Sequence, residues 1–318
     1  MNLKLNFTED ATGFIDFLSS FKKISETLLL EIDTENQKFL AKSSSGKSDS
    51  SSIDSTRYSQ LPFAACGVSI VPQANQEVEI PARIYVGILN RLTKLISIVS
   101  EANRRVRDNE GASFSLTVSY TDMSIADLTG AKVNVSGAVS MLVKTSKLAG
   151  NKGLSSTMAC TDLNKNTMRL TTDQQFDEAI FYLDPDTKYS FVVEPDSLES
   201  IFKMMEIYKT TGSNENEIVV NITDKRISIS NETLKGQKTS ESFNEVIFEG
   251  EINDCYVNQS ICVSKDAFKK NVDKKSPVTL SIGTSKKGVI DRLCIEDGED
   301  ESQVLSKVVL LRIMHPED

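Results

Sequence analysis

Four times along this chain a short run of alternating apolar residues leads into a stretch whose apolar residues recur every three and four positions. That repetition limits the fold more than any other feature of the sequence. In the first copy Leu3, Leu5 and Phe7 alternate, Thr8-Glu9-Asp10 forms a cap region, and Phe14, Phe17, Leu18 and Phe21 follow at helical spacing. Leu28, Leu30 and Ile32 then alternate, a turn spans Asp33 to Asn36, and a short strand around Lys38 to Lys42 completes a β-α-β-β unit. The second copy reads as a strand at Val78-Glu79-Ile80-Pro81 and a long helix through Ile84, Ile88, Leu92, Leu95, Ile96 and Val99, followed by a strand at Phe114, Leu116, Val118 and Tyr120. Pro81 suits the helix's first turn. The third runs from Tyr189, Phe191 and Val193 through Pro195 into Leu198, Ile201, Phe202 and Met205, then the strands of Ile218, Val220, Ile222 and of Ile227, Ile229. The fourth runs from Ile261 and Val263 into Phe268 and Val272, then Val278, Leu280, Ile282 and Leu293, Ile295. Three copies share an apolar-x-x-Asp junction, at Phe7 to Asp10, Val193 to Asp196 and Val263 to Asp266; in the second, Arg83 stands where Asp would.

Each helix carries one apolar stripe and each strand one apolar face, so a unit with a single helix must lay it on a sheet to bury either. The expected fold is therefore α+β, with helices on one face of antiparallel sheets. Its 318 residues make about two domains: residues 1–171, a connector at 172–187 holding the apolar Ile180, Phe181 and Leu183 among acidic residues, and residues 188–318. Val246 and Phe248, and the closing Val309, Leu311 and Ile313, fit edge or return strands. The Ser-rich tract Ser43 to Ser59 reads as a loop or mobile hairpin on composition, and Ala149 to Gly153 as a tight turn.

Composition removes most chemistry. The single histidine, His315, leaves no material for a Ser-His-Asp or Cys-His machine or a multi-histidine metal site. Five scattered cysteines without a Cys-x-x-Cys pair argue against a disulfide framework or a zinc site and are expected to be buried free thiols. Acid–base work by carboxylates stays open by count alone, with 45 Asp and Glu, most of them expected at the surface. Ala41 to Ser48 resembles a phosphate loop only superficially, since Ala41 occupies the first glycine place. No catalytic residue, metal or cofactor is therefore expected. No apolar run approaches the ~18 residues of a membrane span, and Met1 to Asn6 lacks a signal-like start, so a cytoplasmic protein, in the host cytoplasm if viral, is expected.

The net charge of −9 hides an uneven distribution: residues 82–107 carry +5 and 264–275 carry +3. On a helical reading Arg83, Arg91, Lys94 and Arg105 share an arc of about 80°, away from the apolar stripe, and Lys269 and Lys270 lie on the fourth helix. An acidic body with basic helices can hold a polyanion on those helices while repelling it elsewhere. The ordinary alternative is that these charges are the solvated faces of amphipathic helices. Helices one and three are not net basic, although Lys22, Lys23 and Lys203 lie on or beside them.

Paired β-α-β-β units, basic helices on an acidic body, and the junctions Phe191 to Leu198 and Ile261 to Phe268 together resemble the sliding clamps of DNA replication, most nearly the PCNA-like and phage-type clamps. The resemblance implies a DNA-clamp fold of two domains, each of two β-α-β-β(-β) units. It implies a homotrimeric ring of six domains around duplex DNA, held without regard to base sequence, which tethers a DNA polymerase as processivity factor and is opened by a clamp loader where one is used. The DNA-facing candidates are Arg83, Arg91, Lys94, Arg105, Lys269 and Lys270, then Lys22, Lys23 and Lys203. A partner-peptide pocket would fall, by position, at Ile180, Phe181, Leu183, Met314 and Pro316. Two other readings stay open: a monomeric processivity factor that binds DNA through one basic face, and a β-rich viral structural or interaction protein.

Overall fold

The computed structural model describes residues 2–7, 11–46, 53–71, 82–106, 114–126, 132–145, 155–162, 188–208, 216–231, 242–284, 288–297 and 305–311. They form two compact units. The first gathers the described residues up to Ser43 and from Tyr58 to 162, and the second gathers Ser44–Arg57 and the described residues from 188 onward, apart from Leu305.

The first half of the chain contains β1 (Asn2–Phe7), α1 (Thr12–Phe21), β2 (Leu28–Asp33), β3 (Lys38–Gly46), β4 (Ile53–Pro62), a 3-10 turn at Phe63–Cys66, β5 (Val68–Val71), β6 (Ala82–Val86), α2 (Leu89–Val106), β7 (Phe114–Ala126), β8 (Lys132–Thr145) and β9 (Ser155–Asp162). Its strands stand in the order β4-β3-β2-β6-β9-β8-β7-β1-β5. The joint between β6 and β9 is narrow, with only Ile84 opposite Asp162 and Tyr85 opposite Thr161. The second unit contains β10 (Lys188–Val193), α3 (Pro195–Ile207), β11 (Glu217–Ile222), β12 (Arg226–Ser230), β13 (Asn244–Glu249), a 3-10 turn at Asp254–Tyr256, β14 (Ser260–Ser264), α4 (Lys265–Asn271), β15 (Val278–Thr284), β16 (Ile290–Asp297) and β17 (Leu305–Leu311). Here β13-β12-β11-β14 form one sheet, and β10-β15-β16-β17 run consecutively in another. Laid side by side, the two orders match strand for strand, with β5 the one addition. The described residues thus form four strand-helix-three-strand units, two in each half.

Helices α1, α3 and α4 form where the sequence spacing puts them, and they bury what it marks. Phe14, Phe17, Leu18 and Phe21 of α1 are buried, each contributing about 1.5–3 kcal/mol of burial. Phe14 anchors a run of aromatic contacts, with ring centroids 5.5 Å from Phe7 and 4.6 Å from Phe39, and Phe39 is 4.8 Å from Phe63. In α3, Pro195 occupies the first turn, where its missing N–H costs nothing, and Leu198, Ile201, Phe202 and Met205 turn inward. The start of α4 is capped by Ser264, whose Oγ accepts from the Ala267 N–H at 3.2 Å. Asn216 braces the same turn by accepting from the Asp266 N–H at 2.9 Å. Residues Thr8 to Asp10 lie outside the described residues.

The second copy differs from the sequence reading. Its leading strand is β6, so Ile84 lies in a strand and the helix begins at Leu89. Ala82, Ile84 and Val86 are buried in strict alternation while Arg83 points outward, a period of two that prevails over the four-residue spacing of Ile84, Ile88 and Leu92. Ile88 is exposed, and the true stripe is Leu89, Leu92, Ile96 and Val99. The junction residue equivalent to Asp10, Asp196 and Asp266 is therefore Leu89, not Arg83. Residues 78–81 lie outside the described residues.

The Ser-rich tract is also corrected. Most of it is strand, in β3 and β4, with residues 47–52 outside the description. Its hydroxyls find partners instead of making turns: Ser43 Oγ donates to the Thr27 carbonyl just before β2 at 2.7 Å, and the Ser45 and Ser55 hydroxyls meet between β3 and β4 at 2.8 Å. Because Ala41 to Gly46 is β-strand, the phosphate-loop reading falls. On β17 Val308 and Leu310 are buried; the side chains of Val309 and Leu311, and Ile313 altogether, lie outside the described residues. Cys66, Cys262 and Cys294 are buried and outside any disulfide, while Cys160 is half-buried and Cys255 exposed.

Candidate nucleic-acid interface

Within each unit the two helices lie together. The Ala11 N–H at the start of α1 donates to Ser100 Oγ of α2 at 3.2 Å. The Phe202 ring of α3 and the Phe268 ring of α4 have centroids 6.2 Å apart. Burial of one stripe fixes what the other side of each helix can present. On α2 the stripe Leu89, Leu92, Ile96 and Val99 leaves Arg91, Lys94 and Ile98 roughly opposite, about 150° around the axis at 100° per residue. All three are exposed, Ile98 by 57%. Arg105 occupies a backbone position on the same arc, and its side chain lies outside the description.

Arg83 does not join them. It sits on β6 opposite Glu31 of β2 in register, and its Nε donates to Glu31 Oε2 at 3.0 Å. Lys22 caps the C-terminal end of α1 and is half-buried, and Lys23 just beyond it is exposed.

In the second unit two of the candidate lysines, Lys203 and Lys269, are paired in space. Lys203 Nζ lies 2.9 Å from Glu199 Oε1, one turn earlier on α3. Lys269 of α4 lies 3.5 Å from Glu206 Oε1 of α3 and 5.9 Å from the Phe202 ring centroid. The hydrogen bond and charge of Lys203, joined by the charge of Lys274, hold the Glu199 carboxyl below its usual range. Lys270 is exposed on the last turn of α4. The Glu199–Lys203 pair was visible as an i,i+4 spacing. The Glu206–Lys269 pair has no sequence signal, since it depends on α3 and α4 lying side by side. Ile98 was also missed, because a lone apolar residue on a helix reads as core.

The apolar pocket candidates Ile180, Phe181, Leu183, Met314 and Pro316 lie outside the described residues, as does Ala149 to Gly153. Among the described residues no group of three or more His, Cys, Asp or Glu could hold a metal ion. No helix among them is long and apolar enough to cross a membrane.

Paired helices on antiparallel sheets, in halves of matching strand order, define the fold of the DNA sliding clamps. Solved structures show that likeness over nearly the whole chain. PCNA from Thermococcus kodakaraensis has a TM-score of 0.52 at 11% identity, with 98% of this chain and 100% of that one covered. PCNA from Entamoeba histolytica has a TM-score of 0.53 at 11% identity, covering 98% and 99%. The H. pylori beta clamp has a TM-score of 0.55 at 12% identity, covering 98% of this chain and 66% of that one. No family model and no curated protein sequence matches.

Proposed function

We propose that this chain is a sliding clamp: a ring that encircles duplex DNA and tethers the replicative polymerase as its processivity factor, performing no chemistry itself. The observation that carries the reading is the pairing of helices in each half of a clamp fold, with Arg91 and Lys94 exposed opposite the buried stripe of α2. Exposed cations on a rigid helix suit sequence-independent phosphate contacts, which position a duplex without reading its bases. Two halves per chain, and coverage of a whole PCNA chain against 66% of the beta clamp, support three copies in the ring. Ring closure would use free sheet edges, and β13, with Val246 exposed, offers one among the described residues. The DNA-facing set is Arg91, Lys94 and Arg105 on α2 and Lys270 on α4, with Lys269, Lys203, Lys22 and Lys23 at its margin. Partner peptides, from a polymerase or a clamp loader, would dock at Ile180, Phe181, Leu183, Met314 and Pro316.

Two measurements test this. Light scattering behind a sizing column should give a mass near 105 kDa, three times the 35.1 kDa of one chain. Protein loaded on circular DNA should stay bound and leave when the circle is cut, as only a topological link requires. A particle that stays at 35.1 kDa and binds linear and circular DNA alike would instead be a monomeric DNA-binding factor. Neutralising Arg91 and Lys94 together should weaken duplex binding and reduce the magnitude of the log K against log salt slope by about 0.9 for each phosphate no longer neutralised. An unaltered slope would mean that these side chains do not meet DNA.

A further inference from the structure

The two halves carry the same topology, but the helices of the first carry a net +2 and those of the second sum to zero. Helix α2 holds Arg91, Lys94, Arg104 and Arg105 against Glu101 alone. Helix α3 holds Asp196, Glu199 and Glu206 against Lys203 alone, and two of those three carboxylates engage lysines of the candidate DNA surface. Glu206 reaches across to α4 for Lys269, whose ammonium already lies over the Phe202 ring. From this we infer that Glu199 and Glu206 are attenuators of DNA binding: they hold Lys203 and Lys269 in ion pairs that a phosphate must displace, so the second half of each chain grips a duplex more weakly than α2 does. The inference rests on the clamp reading and adds residue roles to it.

The physical basis is competition for one ammonium group. A lysine engaged by a carboxylate at 2.9 or 3.5 Å must give up that partner to reach a phosphate, and the released carboxylate then faces the polyanion with its charge restored. Exposed ion pairs are weak, so the attenuation is partial: a factor of about two to five in affinity for each pair. A clamp must hold DNA without stopping on it. Contacts firm on one helix and easily surrendered on another leave the duplex free to move past.

The experiment is fluorescence anisotropy of a labelled duplex of about 30 base pairs, roughly three helical turns, with the full chain at several salt concentrations. It compares wild type, E199Q/E206Q, R91A/K94A and the control E31Q/E249Q. The control removes the same charge by freeing Arg83 and Arg226 on the strands, where Glu249 Oε1 lies 2.9 Å from Arg226 Nε. E199Q/E206Q should bind about four- to twenty-five-fold tighter, the product of two such pairs, with a steeper salt slope, and exceed any gain from E31Q/E249Q. Equal gains in the two glutamine pairs, or none in E199Q/E206Q, would overturn the attenuator role while R91A/K94A still loses affinity. If wild type shows no salt-dependent binding and R91A/K94A is unchanged, the clamp reading itself falls, and the inference with it.

Discussion

Replacing Gly283 with alanine tests how tightly the second unit is packed. Gly283 lies in the extended backbone of β15, opposite Arg292 of β16 and beside a register shift. A β-carbon placed there would sit 2.8 Å from Arg292 Cγ and 2.9 Å from Cδ, about 0.6 Å short of ordinary contact at 3.4 Å. Retreat is not free, because Arg292 is buried and its guanidinium is held at both ends by the Asp291 carboxylate, Nε donating at 2.6 Å and Nη2 at 2.5 Å. Overpacking of this kind costs about 1–3 kcal/mol, while alanine in extended backbone recovers about 0.4–1 kcal/mol by restricting the unfolded chain. The net expectation is a loss of about 1–2 kcal/mol, read by urea denaturation as a midpoint lower by roughly 0.5–1 M at unchanged slope. The same change made in an R292A background should turn mildly stabilising, since the obstructing stem is gone; the comparison cancels the cost of stranding Asp291. If G283A destabilises both backgrounds equally, the collision with Arg292 is not the cause.

Two further outcomes follow from single groups. Burial pushes the Cys66 and Cys160 thiols up to about 12, in Cys66 against a small opposing pull from the Val68 N–H, whereas Cys255 is exposed. A thiol reagent at neutral pH should therefore label Cys255 in the native protein and reach Cys66 and Cys160 only on unfolding; mass spectrometry finding native Cys66 labelled as fast as Cys255 would refute this. Burial raises the Asp33 carboxyl, but hydrogen bonds from the Asn36 N–H and side-chain amide, the Lys38 charge and the Glu35 N–H outweigh it and leave the group below 3.8. Its contribution is thus present at neutral pH and lost as pH falls through the lowered value. D33N should accordingly be less stable at neutral pH, with the difference from wild type shrinking below pH 3.8; a constant difference would remove the carboxylate's charge from the explanation.

How much of this could be read from the sequence depended on whether one period or two competed for the same residues. In α1 and α3 the apolar residues fit a helix and nothing else, and the lead strands end at a clear Asp junction. At residues 82–88 both periods fit. Ile84, Ile88 and Leu92 lie four apart, but Ala82, Ile84 and Val86 lie two apart, and only pairing with β2 decides in favour of the strand. That single ambiguity carried Arg83 into the candidate DNA surface, where the structure instead gives it Glu31. The Ser-rich tract, read as a loop or mobile hairpin, is mostly strand for a different reason: serine's affinity for turns is a statement about unpaired hydroxyls, and Ser43, Ser45 and Ser55 are paired.

The same contrast separates fold from function across the whole chain. Inward residues of the four units answer to one demand, the burial of a helix stripe on a sheet, and so the halves share a strand order despite dissimilar sequences. Outward residues answer to no such demand. Topology gives α2 and α4 corresponding places, each following the lead strand of its half's second unit, yet α2 leaves Arg91 and Lys94 exposed while α4 has Lys269 drawn to Glu206. A common architecture therefore predicts where a polyanion could lie, and it leaves the strength of a contact to carboxylates such as Glu206, which no periodicity reveals. The charge count along α4 overstates that helix for that reason: it registers Lys269 as a cation without the partner that Glu206 supplies from α3.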